Sequence, residues 1–472
     1  MSDRMGDLAD LSLAAAADGI RKRKFSSWEL TQACLARTAA WQPHTNAFLA
    51  VDHGGALKAA ARADAMAARG AASGGLHGVP LAHKDIFSRA NTLISVGSKI
   101  PERPATETAT VLARLDAAGA IELGALNLVE FAAGATGHNA HFGDCRNPWN
   151  KERVPGGSSS GSAAAVAARM VMGALGTDTG GSIRLPAHLC GVVGLRPTYG
   201  RVSRHGVFPR AWSLDTVGPL ARTAEDAALL LQAVAGEDPL DSAAEAVTVP
   251  DYQADLNRPL AATRIGVPKT AYFTAIDPGI ASLLEASRAA LAKLGAVLVE
   301  LETPDPDPLT ALALAVGRAE GAAIHGEWIG SRPGDYGPGI REAMEVGLFV
   351  PATLYIDALR QRGLLLKRWL DEVFGKVEVL HVPAFGLPTP TLAECAADAA
   401  SPASSDAWGR FTWPFAFLGL PSITVPVGFQ QDGMPAGMQL VGRPFAESLL
   451  LNAAHLYQRE TGWHEKAPPL PK

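Results

Sequence analysis

Cysteine is scarce in this sequence of 472 residues, and the four cysteines form no CxxC pair. They stand far apart, at Cys34, Cys145, Cys190 and Cys395. Paired thiolates for zinc and a framework of disulfides are therefore not indicated. We expect four buried, free thiols.

An excess of charge of one sign is also missing, since 42 basic and 47 acidic residues give a net charge of −5. This balance does not indicate a nucleic-acid partner. Long hydrophobic runs are absent as well. The most apolar stretch, Ala163–Leu175, contains Arg169 and is too short to cross a bilayer, so it is predicted to be a buried helix.

The N-terminal residues lack the features of a secretory signal. Three of the first ten residues are aspartates, and neither a basic start nor an apolar core follows. We therefore expect a cytoplasmic protein that is not bound to a membrane.

Metal-binding patterns are absent from the 12 histidines. No His-x-x-x-His pair occurs, and only His138 and His141 lie near another possible ligand, Asp144. Ordinary hydrogen-bonded histidines are the expected interpretation. The sequence indicates neither a metal nor an organic cofactor.

The order of periodic segments predicts an α/β fold. Residues 8–72 have helical spacing, and Ser26 with Glu29 has the Ser-x-x-Glu form of a capping box. Short apolar runs bounded by Gly and Pro predict buried strands, at 78–81, 120–123 and 265–268. Helical patterns alternate with them, at 223–236 and 278–294.

The C-terminal part predicts a hairpin and a last helix. Strand patterns at 422–427 and 437–441 flank a turn sequence at 431–433, and a helix is predicted over 446–461. No repeat or linker divides the chain, so one domain over 1–472 is expected. Its predicted parts are N-terminal helices (1–75), a catalytic core (76–240), a variable helical lid or pocket wall (303–406) and a return to the core sheet (407–472).

Two clusters of Gly and Ser, Pro155–Ser162 and Gly176–Arg184, are the most unusual part of the sequence. Such clusters are often only flexible loops. Here Gly180 and Gly181 leave backbone N–H groups able to point at a ligand, as an oxyanion hole requires. A phosphate-binding P-loop is not indicated, because neither cluster ends in Gly-Lys-Ser/Thr.

A nucleophile elbow is another interpretation of the first cluster. Gly157–Gly161 matches G-x-S-x-G with Ser159 at its centre. A tract of Gly and Ser satisfies that pattern by composition, and the preceding residues 153–155 do not form a strongly apolar strand. The pattern leaves a Ser-His-Asp hydrolase using Ser159 open as an alternative.

A longer stretch carries a family resemblance. Residues 156–199, which begin GGSSSGSAAAV and end GLRPTY, resemble the amidase signature family. Further similar segments lie at 78–85 (GVPLAHKD), 147–149 (NPW), 213–219 (SLDTVGP) and 418–426 (LGLPSITVP). The resemblance therefore extends over roughly the whole chain. The resemblance implies one α/β domain with a mixed central β-sheet covered by helices on both faces. It also implies an enzyme that cleaves carbon–nitrogen amide bonds.

The resemblance assigns roles to residues by motif. Lys84 corresponds to the catalytic base, Ser158 to the proton-relay serine, which follows a cis peptide bond in the family, and Ser182 to the nucleophile. The oxyanion hole would be formed by the N–H groups of Thr179, Gly180, Gly181 and Ser182. Supporting residues would be Ser159, Asp178 and Arg184. The acyl pocket would involve Phe131, Ala132 and Gly134, whereas Phe208 and Trp212 are interpreted as core residues.

The chemistry of such a triad constrains its lysine. A serine nucleophile needs a base within hydrogen-bond reach, and a lysine serves only when it is neutral. Apolar residues on both sides of Lys84 predict burial, which lowers a lysine pKa, whereas Asp85 would raise that pKa if it lay close. Ser158 would pass the proton of Ser182 to Lys84 and return one to the leaving amine.

The resemblance leaves the substrate open. Family members hydrolyse fatty-acid, aryl and small amides, carbamates and ureas, and one branch is the glutaminase subunit of a tRNA amidotransferase, which the central block also resembles. The segments 83–85 and 209–214 look more like those of stand-alone amidases. We expect a monomeric or homodimeric amidase of small or aryl amides, with esters, carbamates or urethanes as further substrates. The glutaminase subunit is the alternative.

Overall fold

A single β-sheet organises the part of the chain that the computed structural model describes, residues 8–396 and 408–471. Its strands are β1 (Phe48–Val51), β2 (Pro80–Lys84), β3 (Ile121–Leu126), β4 (Gly173–Asp178), β5 (Val193–Arg196), β6 (Thr216–Ala221), β7 (Arg264–Pro268), β8 (Val297–Leu301), β9 (Val379–Pro383), β10 (Ser422–Phe429) and β11 (Pro435–Gly442). They lie in the order β1-β3-β2-β4-β6-β5-β10-β11-β9-β7-β8. Strands β3, β2 and β4 are parallel, as are β9, β7 and β8, and the remaining neighbours are antiparallel. The sheet is therefore mixed, as predicted.

The centre of the sheet is covered on both faces. Every residue of β2, β4, β5, β6, β9 and β11 is buried. Because successive residues of a strand point to opposite sides, both sides of these strands must be covered. This is the arrangement of a helix-covered α/β domain.

Helices surround this sheet. They are α1 (Leu13–Arg21), α2 (Ser27–Thr45), α3 (His53–Ala68), α4 (Thr110–Ala117), α5 (Ser160–Ala167), α6 (Arg184–Cys190), α7 (Ala224–Val234), α8 (Ala271–Thr274), α9 (Pro278–Lys293), α10 (Asp307–Ser331), α11 (Pro338–Glu345), α12 (Ala352–Glu372), α13 (Leu392–Ala396), α14 (Trp413–Phe417) and α15 (Glu447–Thr461). Within the described ranges, no helix is both long and apolar enough to cross a membrane.

Most of the predicted elements are present. The N-terminal capping box is confirmed, since Ser26 accepts from the N–H of Glu29 at 3.0 Å and Glu29 accepts from the N–H of Ser26 at 2.8 Å. The predicted strands correspond to β2, β3 and β7, and the predicted helices to α7, α9 and α15. The predicted hairpin is the antiparallel pair of β10 and β11. All four cysteines are buried and free, as expected.

The apolar stretch at 163–175 was wrongly predicted as one helix. Helix α5 ends at Ala167, and β4 begins at Gly173. Between them Arg169 adopts a left-handed conformation with φ of 58°, which ends the helix. The side chain of Arg169 turns outward to Asp10 at 2.9 Å, so a charged group inside an apolar run marks the turn rather than a helical position.

Two strands lie in regions that were predicted to be helical. Strand β1 falls within residues 8–72 and pairs with β3, and β9 falls within 303–406 and pairs with β11 and β7. Both strands are short apolar segments, whose strand character is decided by pairing with distant parts of the chain. Residues 1–7 of the predicted N-terminal part and 397–406 of the predicted lid lie outside the described residues.

Candidate active site

Lys84 stands at the end of β2 and faces two hydroxyl groups. Its side chain is 1% exposed. Its Nζ donates to Ser158 Oγ and to Thr177 Oγ1, each at 2.8 Å. The motifs pointed to Ser158, but they do not predict the contact with Thr177, which β4 brings beside β2.

The environment of Lys84 favours its neutral form. Burial lowers the pKa of Lys84 to about 7, although the carboxylates of Asp215 and Asp178 oppose this change. The neighbouring Asp85 does not face the amine, because its carboxylate turns to Ser95, whose N–H lies 2.8 Å away. Lys84 is therefore partly neutral near neutral pH.

Ser158 lies in the loop before α5 and is completely buried. The Gly157–Ser158 peptide bond is cis. Gly157 fits tightly, since a Cβ there would lie 2.9 Å from Val129 Cγ2 and 3.1 Å from the backbone carbon of Ala135. The carbonyl oxygen of Ser158 accepts from the N–H of Val129 at 3.2 Å, which fixes the loop further.

Ser182 lies in the loop between β4 and α6 and is only partly exposed. Its carbonyl oxygen accepts from the N–H of Ser159 at 3.2 Å, so the two serine loops are joined. The loop also winds around Asp178, whose carboxylate accepts from the N–H groups of Gly181 at 2.9 Å and Ile183 at 3.1 Å. These bonds fix the backbone on either side of Ser182.

Two buried arginines hold Asp178 in turn. Its Oδ1 lies 2.9 Å from Arg184 Nη2 and 3.1 Å from Arg196 Nη1, and all three side chains are fully buried. Burial opposes the charge of Asp178, but the two guanidinium groups outweigh it and keep its pKa below the ordinary range. Arg184 also donates to Gln439 Oε1 at 2.8 Å. The motifs flagged Asp178 and Arg184, but Arg196 and Gln439 were not predicted.

The four residues predicted to form the oxyanion hole are not equivalent. The N–H of Gly181 donates to Asp178, so in this structure it is not an unpaired donor. The N–H groups of Gly180 and Ser182 have no acceptor among the described residues. Thr179 donates its hydroxyl to Asp215 at 2.6 Å, which ties the loop to the start of β6.

A cleft opens beside Ser182. It is lined by Ala132, Ala133, Gly134, Ala135, Gly157, Thr179, Gly180, Gly181, Ser182, Leu185, Arg210, Gly409 and Trp413. The indole of Trp413 lies directly on Gly180, where a Cβ would be 2.4 Å from three ring atoms. The walls are thus mainly small and apolar, with one aromatic ring and one cation.

Of the three residues predicted for the acyl pocket, Ala132 and Gly134 line this cleft. Phe131 does not: its ring is fully buried among the rings of Phe208, His325, Trp328 and Tyr336, with centroids 4.4 to 5.8 Å away. The left-handed backbone of Phe131, with φ of 50°, turns its side chain into this cluster. Phe131 therefore packs behind the pocket wall and does not line this cleft.

Phe208 and Trp212 were interpreted as core residues, but Phe208 is only partly buried and Trp212 is exposed. Phe208 belongs to the aromatic cluster around Phe131. Trp212 is 42% exposed and lines a second cavity, together with Arg204 and Asp241. This second cavity also reaches Thr177, the hydroxyl partner of Lys84.

Ser159 occupies a position unlike that of an elbow nucleophile. Its side chain is fully buried, and its hydroxyl contacts the backbone oxygen and nitrogen of Thr177 at 3.2 and 3.3 Å. No hydrogen bond joins Ser159 to a histidine in the described part of the chain. Its geometry suits a residue that connects α5 to β4. Across the same residues, no group of three or more His, Cys, Asp or Glu side chains could hold a metal ion.

Comparison with known proteins identifies the family of the chain. A family model described as Amidase matches residues 29–451. The chain is 40% identical, over 483 aligned residues, to a glutamyl-tRNA(Gln) amidotransferase subunit of Coxiella burnetii (strain RSA 493 / Nine Mile phase I), and this match covers 97% of this chain and 99% of that protein. The solved peptide amidase of Stenotrophomonas maltophilia is 31% identical with a TM-score of 0.82, and 98% of each chain is covered. A 6-aminohexanoate cyclic dimer hydrolase solved with its substrate is 27% identical with a TM-score of 0.88, and 98% of this chain and 99% of that chain are covered.

The fold and the family define a hydrolase of carbon–nitrogen bonds that is built on a mixed sheet with helices. The chain belongs to the Amidase family, and it is an amidase.

Proposed function

We propose that this amidase hydrolyses small or aryl amides through an acyl-enzyme on Ser182, with Ser158 as proton relay and Lys84 as base. Esters and carbamates or urethanes are further substrates, because their leaving groups need less protonation than an amine. The observation that carries the proposal is the hydrogen bond of 2.8 Å between Lys84 Nζ and Ser158 Oγ in a buried site. The lowered pKa of about 7 supports Lys84 as a base.

Acylation begins when Ser182 Oγ attacks the amide carbonyl carbon. Its proton passes to Ser158 Oγ while the proton of Ser158 passes to neutral Lys84 Nζ. The tetrahedral oxyanion lies near the unpaired N–H groups of Gly180 and Ser182, which stabilise its negative charge. Protonated Lys84 then returns a proton through Ser158 to the departing nitrogen, which leaves as an amine.

Deacylation repeats these steps with water. Water attacks the acyl carbon and gives a proton to Lys84 by way of Ser158, and the same proton returns to Ser182 Oγ as the acid leaves. Asp178 has a positioning role in both halves, because it holds the backbone around Ser182. Arg184 and Ser159 support that loop and do not touch the substrate.

Covalent labelling with a serine-reactive probe tests whether Ser182 is the nucleophile. We expect a fluorophosphonate to form one adduct with the intact chain and the labelled peptide to contain Ser182. Ser182→Ala should abolish labelling, whereas Ser331→Ala, at an exposed helical serine, should leave it unchanged. An adduct on Ser159 would overturn the proposal in favour of the elbow hydrolase.

A second candidate function is the glutaminase subunit of a tRNA amidotransferase. It is favoured by the similarity to proteins with an amidotransferase name, such as the Coxiella burnetii protein at 40% identity. The composition of the cleft argues against it, since free glutamine carries an ammonium group. Among the described residues that line the cleft, none is a carboxylate that could bind this group.

The oligomeric state of the purified chain distinguishes the stand-alone amidase from the glutaminase subunit. We propose that the chain acts alone in the cytoplasm, as a monomer or homodimer, without a nucleic-acid or membrane partner. Light scattering on the purified chain should give one or two copies, and the same sample should hydrolyse an anilide but not glutamine. Glutamine hydrolysis that appears only after partner subunits are added would establish the second candidate.

A further inference from the structure

Arg210 is the charged residue on the wall of the cleft that contains Ser182. Of the described residues that line this cleft, it alone carries a charge. It belongs to the segment before β6, within the residues 209–214 that resemble stand-alone amidases. Its guanidinium therefore determines which charged groups the cleft can accept.

The guanidinium of Arg210 has no carboxylate partner within the described residues. Its Nη1 donates to the carbonyl oxygen of Gly317 at 3.0 Å, and it forms no salt bridge. Glu320, on the same helix as Gly317, is already engaged, since it accepts from the N–H of Ser213 and the hydroxyl of Tyr355, each at 2.9 Å. Arg210 thus keeps donors that no protein carboxylate uses.

The position of Arg210 is fixed relative to the nucleophile loop. One carboxylate oxygen of Asp215 accepts from the N–H groups of Arg210 and Ala211 at 2.8 and 2.9 Å, and the other accepts from the hydroxyl of Thr179 at 2.6 Å. The guanidinium itself lies on α10, where Gly321 has no side chain. A Cβ at Gly321 would be 2.2 Å from Nη1 of Arg210. Asp215 therefore joins the arginine and the catalytic loop into one rigid unit.

Arg210 is only partly buried, but a cation that is even partly removed from water is less stable without an anionic partner. Burial lowers the pKa of Arg210, and the neighbouring Asp215 opposes that change. An arginine nevertheless stays charged in proteins, and its planar fork matches the geometry of a carboxylate. A carboxylate that enters the cleft would form charge-assisted hydrogen bonds, which are stronger than neutral ones.

We infer that Arg210 binds a carboxylate carried by the substrate, so that the enzyme selects amides with an anionic group beside the scissile bond. The inference rests on the proposed function of the cleft, and it makes Arg210 a specificity-determining residue. The apolar part of such a substrate lies against Trp413, Leu185 and the alanine wall. Cationic substrates are excluded by the same charge.

The test uses matched pairs of nitroanilides. Mono-nitroanilides of succinic, glutaric and adipic acid carry a free carboxylate, and their neutral analogues carry a methyl ketone in its place. For at least one chain length we expect kcat/KM to favour the carboxylate by about 10- to 100-fold, the value of one charged hydrogen-bonded contact. The preference should appear mainly in KM, because the contact exists in the ground state as well as the transition state.

Variants of Arg210 identify the source of the preference. Arg210→Gln should reduce the ratio of kcat/KM between carboxylate and ketone to about one, while Arg210→Lys should retain part of the preference. The control is Arg204→Gln, which removes a cation on the same segment that is paired with Asp241 at 3.1 Å and does not line the cleft with Ser182. This control should keep the full preference. Equal rates for both members of every pair, or equal loss on both in Arg210→Gln, would overturn the inference.

A binding measurement separates this inference from the proposed function. Titration calorimetry with Ser182→Ala should detect the carboxylate compounds and not the ketones, and Arg210→Gln in that background should abolish the heat. Binding that depends on Arg210, without turnover of any amide by the wild type, would keep the inference and refute the hydrolase proposal. Amide turnover by the wild type without such binding or preference would refute the inference and keep the hydrolase proposal.

Discussion

Lys84 Nζ lies 2.8 Å from Ser158 Oγ, and neither side chain is more than 1% exposed. In the proposed mechanism this buried pair combines a base and its relay. Burial makes the ammonium form of Lys84 unfavourable, and the hydroxyl of Thr177 gives the amine a second fixed partner. The site therefore holds the amine in place without stabilising its charge through a direct ion pair.

The first prediction concerns the pH dependence of activity. Because Lys84 must be neutral and its pKa is about 7, log(kcat/KM) should rise with pH below that value and become level above it. Lys84→Met should lower kcat/KM for an anilide by about 10³-fold or more. Initial rates over a range of buffers measure both effects. A bell-shaped profile that depends on a histidine would contradict the role of Lys84.

The second prediction concerns stability and follows from the same pKa. The pKa of Lys84 falls from 10.5 to about 7 on burial, so between these values the unfolded chain binds a proton that the folded chain lacks. The contribution of Lys84 to the free energy of unfolding therefore becomes more favourable as the pH rises across that window. Below the window, where the buried amine is charged, this contribution is least favourable. Lys84→Met removes the titration. Its thermal midpoint relative to wild type should be highest at about pH 6 and should decrease by about pH 10.

A constant difference between the two thermal midpoints across that pH range would contradict the lowered pKa. The control is Lys367→Met, because Lys367 forms an exposed pair with Asp371 on α12. Its midpoint should differ little from wild type at either pH, since exposed ion pairs contribute little.

Local patterns predicted much of the fold, and motifs pointed to the residues of the candidate site. The capping box at Ser26, the hairpin of β10 and β11, and the class of the domain depend on residues close together in sequence. Lys84 and Ser158 could be recognised because short motifs surround them. The direct contact between the two, however, required the folded chain.

The remaining features depend on contacts between distant segments. Trp413 reaches Gly180 across more than two hundred residues, and Arg196 on β5 reaches Asp178 on β4 although β6 lies between these strands. The ring of Phe131 packs behind the cleft, and both Phe131 and Ala132 have left-handed backbone conformations, which their residue types do not indicate. A sequence pattern does not show which way a side chain points or which distant segment it contacts. These contacts were therefore not predicted.

The third prediction concerns the two adjacent serines. Ser158→Ala should lower kcat/KM for amides by orders of magnitude, because it removes the hydroxyl that accepts from Lys84. Ser159→Ala should retain most of the activity and lose about 1 kcal/mol of stability, the typical value of a hydrogen bond. Steady-state kinetics and thermal unfolding of both variants measure this. Inactivity of Ser159→Ala with a normal thermal midpoint would support the elbow hydrolase instead.

The fourth prediction concerns the buried ion network. Asp178→Asn leaves Arg184 and Arg196 buried without a counter-charge, and breaking such a group costs about 3–5 kcal/mol. The thermal midpoint and the activity should both fall, because the loop around Ser182 loses its anchor. Asp357→Asn is the matched control, since Asp357 pairs with Arg360 on the surface and such pairs contribute about 0–1 kcal/mol.

The network also has a defined pH dependence. The folded pKa of Asp178 lies below its unfolded value, so its contribution is complete above the unfolded pKa and is lost as the pH falls toward the folded one. The difference in thermal midpoint between wild type and Asp178→Asn should therefore be largest at neutral pH and smaller in acid. A difference that grows in acid would contradict the assignment of the charge.

The last prediction concerns the contact between Gly180 and Trp413. A Cβ at Gly180 would lie 2.4 Å from the indole ring, so Gly180→Ala must displace the ring or the oxyanion loop, and kcat should fall. Adding Trp413→Ala gives the new methyl group room and should restore part of kcat, at the expense of a higher KM for apolar substrates. Gly326→Ala is the control, because Gly326 on α10 has open space around it, and activity should not change. The control should instead gain about 0.5–1 kcal/mol from the better helix propensity of alanine. Full activity of Gly180→Ala alone would show that the loop tolerates the displacement and would contradict its assignment to the oxyanion hole.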